Sequence, residues 1–241
     1  MPGMRQALVV AGAFAGLVAA CAWDAPRLPE ADGGAPANFP EQHYLQAAAR
    51  GGRVFRVDPA SSRVVIEVRR GGPLARLGHD HVVASHDLHG YIAPGEGRAD
   101  LYVALDQLVV DEPELRAEAG FDTQPTEDDI AGTRRNMLDK VLDADRHPFA
   151  IVAVNDNEAG GNRRRLRVVV TLHGLSRSVE TAAQVKTTAD EILVTGTFSI
   201  EQSQFGIAPF SVLGGAIAVQ DRVNITYRIN ARRMEEADRV T

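Results

Sequence analysis

The sequence predicts a mainly β protein in which roughly seven or eight antiparallel strands close into a barrel, with one helix near a barrel mouth. Apolar and polar residues alternate along successive segments, so each predicted strand has one apolar and one polar face. Clusters of Gly, Pro, Asn and Asp separate these segments, as is typical of tight turns. Such strands either stack as two sheets or close on themselves, and the interior of an eight-stranded barrel is filled by side chains or holds one small ligand.

The positions that alternation directs inward are mostly aliphatic and are the candidates for lining the barrel interior. Small residues, such as Ala183 and Gly196, share this register with large ones. The composition leaves open whether the interior is a cavity for an elongated apolar guest or a fully packed core. The predicted lining residues are Ile66, Val68, Leu101, Val103, Val168, Val170, Val194, Phe198, Ile200, Phe205, Ile225 and Tyr227.

One segment between the strands has a helical pattern instead of an alternating one. Thr126 is a capping residue followed by three acidic residues, and apolar residues recur from Ile130 to Leu142 before Pro148 ends the pattern. We expect this helix to lie across one mouth of the barrel, with its apolar side plugging the interior.

The N-terminal residues predict export and lipid anchoring. Cys21, the only cysteine, closes an apolar run over residues 7–20 that follows Arg5 and is too short to span a bilayer as a helix. The small residues before Cys21 look like a bacterial lipobox. Residues 1–20 are therefore predicted to be a lipoprotein signal peptide, and Cys21 the acylated residue that binds the membrane. The alternative is an ordinary signal peptide in which Cys21 is incidental.

The remaining chain divides into three predicted parts. Residues 21–52 contain several prolines and are predicted to be a flexible tether, residues 53–233 form the barrel domain, and residues 234–241 are a C-terminal tail. The net charge of -6 argues against nucleic acid as a partner, because binding to phosphates requires a concentrated basic surface.

Histidines cluster in one short region. His79 and His81 are two residues apart and face the same side of an extended segment, and His86 is a third candidate. One interpretation is a zinc, copper or haem-iron site near a barrel mouth. The other is a polar hairpin whose imidazoles satisfy backbone groups or orient a ligand head group. Candidate nucleophiles such as Ser176 lack the strand-to-helix context of an activated serine, so no catalytic residue is predicted.

Four stretches, taken together and in order, resemble the YceI-like family of exported, lipocalin-like proteins over about residues 53–232. They are Phe55-Arg56-Val57-Asp58-Pro59, His147-Pro148, the hairpin from Val170 through His173-Gly174 to Val179, and Phe198-Ser199-Ile200 leading through Gln204-Phe205-Gly206-Ile207 to Ile225.

The resemblance implies a lipocalin-like barrel of eight strands with a helix near its opening. It also implies a long hydrophobic cavity that, in this family, holds isoprenoid-type or other amphiphilic lipids, with no catalytic apparatus and no required cofactor. A link of some relatives to a membrane cytochrome suggests quinone precursors. Two features depart from the family: Glu201-Gln202-Ser203 stands where an arginine is common, and several histidines stand where many relatives carry one.

We therefore predict non-catalytic binding or transport of an elongated apolar or amphiphilic lipid, isoprenoid or quinone-like. The predicted location is the periplasmic side of the bacterial envelope, with the acyl chains anchored in the outer membrane. Three questions stay open: whether the chain is instead a metal- or haem-associated protein using His79 and His81, whether the barrel is a solid interaction module, and whether two copies pair as a homodimer.

Overall fold

The computed structural model describes residues 34–156 and 161–235. The predicted signal peptide, the lipidation site Cys21, the first part of the predicted tether and the residues from 236 onward lie outside these ranges. Within the described residues the chain forms three α-helices, α1 (Glu41–Ala49), α2 (Pro113–Glu118) and α3 (Glu127–Asn136). Helix α3 continues as a π-helical turn, Met137–Val141. None of these helices is both long and apolar enough to cross a membrane.

The described residues form fourteen strands. They are β1 (Phe55–Val57), β2 (Arg63–Val68), β3 (Arg70–Gly71), β4 (His81–Ser85), β5 (Leu88–Ala93), β6 (Arg98–Ala104), β7 (Val109–Val110), β8 (Phe149–Asn155), β9 (Arg163–Leu172), β10 (Leu175–Thr187), β11 (Glu191–Glu201), β12 (Ser211–Val212), β13 (Ile217–Val219) and β14 (Arg222–Arg233).

The strands form a closed antiparallel barrel. The ring runs β1–β5–β6–β8–β9–β10–β11–β14, and β14 pairs with β1 to close it. Strand β14 also pairs with β2, so β1 and β2 are two halves of one interrupted barrel strand. The successive strands β4 and β5 are related in the same way, because β4 pairs with β2 and β5 with β1. The predicted fold class, a mainly β, lipocalin-like barrel of eight antiparallel strands, is confirmed. Strands β3, β12 and β13 form a small separate sheet.

Alternation decides which side chains enter the barrel. Every second residue of β14 is buried from Val223 to Ala231, and Leu166, Val168 and Val170 on β9 follow the same rule. Val169, between two of these, points the other way and is partly exposed. Each apolar side chain removed from water in this way stabilises the fold by about 1.5–3 kcal/mol.

The predicted helix is α3, and its N-terminus has a capping box. The Oγ1 of Thr126 accepts a hydrogen bond from the backbone N–H of Asp129 (3.2 Å), and the Asp129 carboxylate accepts one from the backbone N–H of Thr126 (3.0 Å). Apolar residues of the helix and its π turn, including Ile130 and Leu138, pack over Leu105 and neighbouring buried residues. The helix therefore covers one end of the barrel, as expected.

Part of the predicted tether is instead an ordered helix packed against the barrel. Tyr44 of α1 is fully buried and stacks on Tyr91 at a ring distance of 5.2 Å. Its hydroxyl donates a hydrogen bond to the carboxylate of Asp100 (2.6 Å). The prolines of this region precede the helix and do not interrupt it, so the expectation of a flexible tether is wrong for residues 41–49. Met234 joins the same apolar cluster, which extends the ordered domain one residue past the predicted boundary.

Candidate functional site

The barrel encloses an elongated apolar cavity of about 280 Å³. Apart from Phe205, every residue predicted to line the interior is on its wall: Ile66, Val68, Leu101, Val103, Val168, Val170, Val194, Phe198, Ile200, Ile225 and Tyr227. A single water needs only about 10–15 Å³ of such space, so this interior is neither solid nor limited to one solvent molecule. The expectation of a hollow barrel is therefore met by the geometry.

Phe205 is the one predicted lining residue that does not reach the cavity wall. It is fully buried in the surrounding core, in the 3-10 turn that follows β11. Gly206 ends this turn in a left-handed conformation (φ 70°), so the inward-outward alternation of β11 does not continue past Glu201. Ile207, just beyond the turn, lines the cavity in its place.

The two ends of the cavity differ in chemistry. At one end, Met137, Val141 and Leu142 from the π turn after α3 line the wall. At the other end the wall includes Arg98 and Arg164. Along β9 the lining runs over residues 164–172. At about 3.3 Å per residue and a strand tilt of about 40°, this corresponds to a cavity about 20 Å long.

The polar end contains paired charges. Arg164 forms an ion pair with Asp156, and the Nε of Arg98 donates to the carboxylate of Asp100 (2.7 Å). Asp156 also lines the cavity. The cavity thus combines an apolar length with a few polar groups at one end, an arrangement typical of sites for small amphiphilic molecules.

Gly196 and Tyr227 face each other inside the barrel. A Cβ added at Gly196 would lie 2.3 Å from the Tyr227 hydroxyl oxygen, so the absence of a side chain makes room for the tyrosine. Burial raises the pKa of the Tyr227 hydroxyl above its usual value. Gln202, which stands in the stretch where an arginine is common among relatives, also lines the cavity and donates to the Gln220 carbonyl (2.9 Å).

The predicted histidine cluster lies away from the cavity wall. The rings of His79 and His81 lie together, 6.2 Å apart, as expected from their spacing. However, the Nδ1 of His81 pairs with the Asp111 carboxylate (2.6 Å), and the Nε2 of His86 pairs with Glu112 (2.8 Å). None of the three histidines lines the cavity, so the structure does not place them where they would contact a head group inside it.

Asp111 and Arg116 form a buried network that the sequence did not reveal. The Asp111 carboxylate accepts hydrogen bonds from His81, from the Val82 backbone N–H (3.0 Å) and from Arg116 (2.5 Å). Burial raises the pKa of Asp111, but these hydrogen bonds and the nearby charge outweigh it, so the pKa lies below its usual range. Through Arg116 and His81 the network joins α2 to β4.

A different group of side chains lies close enough together to bind one metal ion. Among the described residues, ligand atoms of Asp143, His147 and His173 all lie within 4.8 Å of one another. The three are half-buried and come from the turn after α3 and from the hairpin between β9 and β10. The Nδ1 of His173 donates to the backbone carbonyl of Phe205 (3.3 Å), so this imidazole bonds to a residue outside its own hairpin.

A closed eight-stranded antiparallel barrel around an apolar cavity defines a lipocalin-like protein. The model of the YceI-like domain matches residues 55–231, which is most of the chain, and the chain belongs to this family. No curated protein sequence matches it significantly.

Two solved structures have the same fold. One is a polyisoprenoid binding domain from Saccharophagus degradans implicated in plant cell wall breakdown, 15% identical with a TM-score of 0.53, covering 75% of this chain and 98% of that one. The other is BcnA from Burkholderia cenocepacia, 17% identical with a TM-score of 0.50, covering 72% of this chain and 98% of that one. At these identities the similarity establishes the fold.

Proposed function

We propose that this protein binds one elongated apolar or amphiphilic lipid, of isoprenoid or quinone-like type, inside its barrel. The observation that carries the proposal is the cavity itself, which is long and apolar and is lined at one end by the π turn after α3. The similarity to a structure described as a polyisoprenoid binding domain supports an isoprenoid chain as the ligand class.

The volume of the cavity gives the scale of the favourable hydrophobic contribution. An apolar void costs about 24 cal/mol per Å³, so 280 Å³ corresponds to about 7 kcal/mol. The lost translational and rotational freedom of the ligand, about 4–15 kcal/mol, is set against this gain. Filling of the cavity therefore supplies the main favourable part of the binding free energy, and contacts of the head group at the polar end add to it.

The polar end is the place proposed for the head group. Arg98, Arg164 and Asp156 offer both signs of charge at the wall, so they can orient a polar or charged group while the chain extends towards α3. The rest of the wall is mainly aliphatic. We therefore infer a binding or carrier role with no catalytic step and no cofactor requirement.

The proposed location is the periplasmic side of the bacterial envelope, with the protein anchored to the outer membrane through Cys21. The proposal rests on the apolar run over residues 7–20 and the small residues before Cys21. Mass analysis of the mature N-terminal peptide tests it, with acylated Cys21 as the expected first residue. Cleavage elsewhere, or an unmodified cysteine in protein made by its own host, contradicts it.

The binding proposal is tested by native mass spectrometry of protein purified without denaturation. We expect either one co-purified lipid per chain, or uptake of one added polyprenyl alcohol by the empty protein. Extraction and analysis of any bound molecule then distinguishes an isoprenoid alcohol from a quinone. A protein that is empty and does not take up polyprenyl alcohols of any length contradicts the proposal.

A further inference from the structure

Asp143, His147 and His173 form a compact set of metal-ligating groups beside the barrel. Their ligand atoms lie within 4.8 Å of one another, and the two imidazole rings are 4.8 Å apart at 59°. In a tetrahedral zinc shell with bonds of about 2.1 Å, ligand atoms are about 3.4 Å apart. A shift of each ligand atom by less than about 1 Å takes separations of 4.8 Å to this value.

The backbone conformation around the cluster places these side chains next to one another. Asp143 (φ 46°) and His173 (φ 52°) both have left-handed backbone conformations, which are uncommon for residues with side chains and occur often at functional sites. A Cβ on Gly174 would lie 2.9 Å from Cε1 of His147, so the glycine lets that ring lie directly against the hairpin.

His173 also has the hydrogen bond expected of a metal ligand. Its Nδ1 lies 3.3 Å from the Phe205 carbonyl oxygen, which can only accept, so this hydrogen bond uses the proton on Nδ1 and leaves Nε2 as the nitrogen that can coordinate an ion. Metal-bound histidines usually donate their other ring N–H to a carbonyl or carboxylate in this manner. Among the described residues, the Asp143 carboxylate forms an ion pair with the mostly exposed guanidinium of Arg146 (3.3 Å). A surface pair of this kind is weak and easily replaced.

We propose that Asp143, His147 and His173 bind one divalent transition-metal ion, with Zn²⁺ the best match. Two imidazoles and one carboxylate suit zinc, and three protein ligands leave a fourth position for water or another ligand. The ion would join the turn after α3 to the β9–β10 hairpin. Leu142 and Leu172, the neighbours of two ligands in the sequence, line the cavity at this end, so the ion would fix the rim of the lipid site.

The test uses Zn²⁺ alone, added to the metal-free protein and followed by competition with a chromophoric chelator. We expect one high-affinity equivalent in the wild type. Asp143→Asn, His147→Gln and His173→Gln should each weaken binding by at least about 10- to 100-fold, the loss seen even for groups that only support a ligand. Asparagine adopts left-handed backbone readily, so Asp143→Asn removes the charge with little strain. His86→Gln is the matched control and should bind Zn²⁺ as the wild type does.

A second measurement does not depend on the variants being folded. Proton–nitrogen spectra of the wild-type histidines should show Zn²⁺ shifting the signals of His147 and His173 and leaving that of His86 in place. The proposal is overturned if the wild type binds no stoichiometric Zn²⁺, if the ligand variants bind as tightly as the control, or if Zn²⁺ shifts the histidines of residues 79–89 instead. None of these readouts involves lipid, so the outcome is independent of the proposed function.

Discussion

Replacing Val168 by phenylalanine tests whether lipid occupies the barrel. Val168 is buried at the middle of β9 and faces the cavity. The larger side chain adds four carbons, which at about 0.8 kcal/mol each corresponds to about 3 kcal/mol of apolar burial. The cavity has room for the ring, so the empty protein should become more stable by up to about 3 kcal/mol. Because the ring takes space from the ligand, lipid binding should weaken by a similar amount, about 100-fold in Kd.

Val169→Phe is the matched control, since Val169 is the next residue of the same strand and faces outward. Denaturant unfolding of the ligand-free proteins gives the stability, and titration with a polyprenyl alcohol followed by native mass spectrometry gives the affinity. We expect opposite changes in the two quantities for Val168→Phe and little change in either for Val169→Phe. Unchanged lipid affinity in a folded Val168→Phe protein, or equal losses in both variants, would refute the reasoning.

Three further predictions concern stability, pH and cavity shape. Tyr44→Phe leaves the buried Asp100 carboxylate without one donor and should lower the free energy of unfolding by about 1–3 kcal/mol; no change would show that α1 is not anchored there. Asp111→Asn should destabilise the protein by about 3–5 kcal/mol at neutral pH, because a buried arginine loses its partner. Folding lowers the pKa of Asp111, so the carboxylate stabilises the protein above the ordinary carboxyl pKa of about 4, and this stabilisation is lost as the pH falls through the lower folded value. The free energies of unfolding of the variant and the wild type should therefore converge in acid. A difference between them that does not depend on pH would contradict this. Gly196→Ala should push the Tyr227 ring into the cavity, costing about 1–3 kcal/mol and reducing lipid uptake, whereas unchanged uptake would mean that the ring is not part of the binding surface.

The sequence predicts the barrel and its lining because the side-chain period of a strand is two. Once Val168 is assigned inward, Val170 follows on the same strand, and pairing with neighbouring strands carries the register around the ring. The alternation of inward and outward side chains holds only within a strand. Phe205 lies beyond the end of β11, in a turn that Gly206 closes, so parity no longer specifies its direction.

Contacts between residues that are far apart in the sequence could not be predicted from local patterns. His79 and His81 are close in sequence, which suggested a shared site. The partner that His81 has in the structure, Asp111, lies thirty residues further along the chain. His147 and His173 meet only because the start of β8 and the β9–β10 hairpin lie at the same end of the barrel. The residues around each of these two histidines do not indicate that the two rings lie side by side. Helix α1 is likewise held by contacts with distant strands, including the hydrogen bond from Tyr44 to Asp100 and the apolar cluster around Tyr91.

A crystal structure of protein purified from its own host without denaturation tests the occupancy of the barrel most directly. We expect continuous elongated density in contact with Val168, Phe198 and Ile225, extending from the arginine end of the barrel towards Leu142. A barrel whose side chains close the space, or whose interior holds only separate water molecules, would contradict the proposal that this protein carries a lipid.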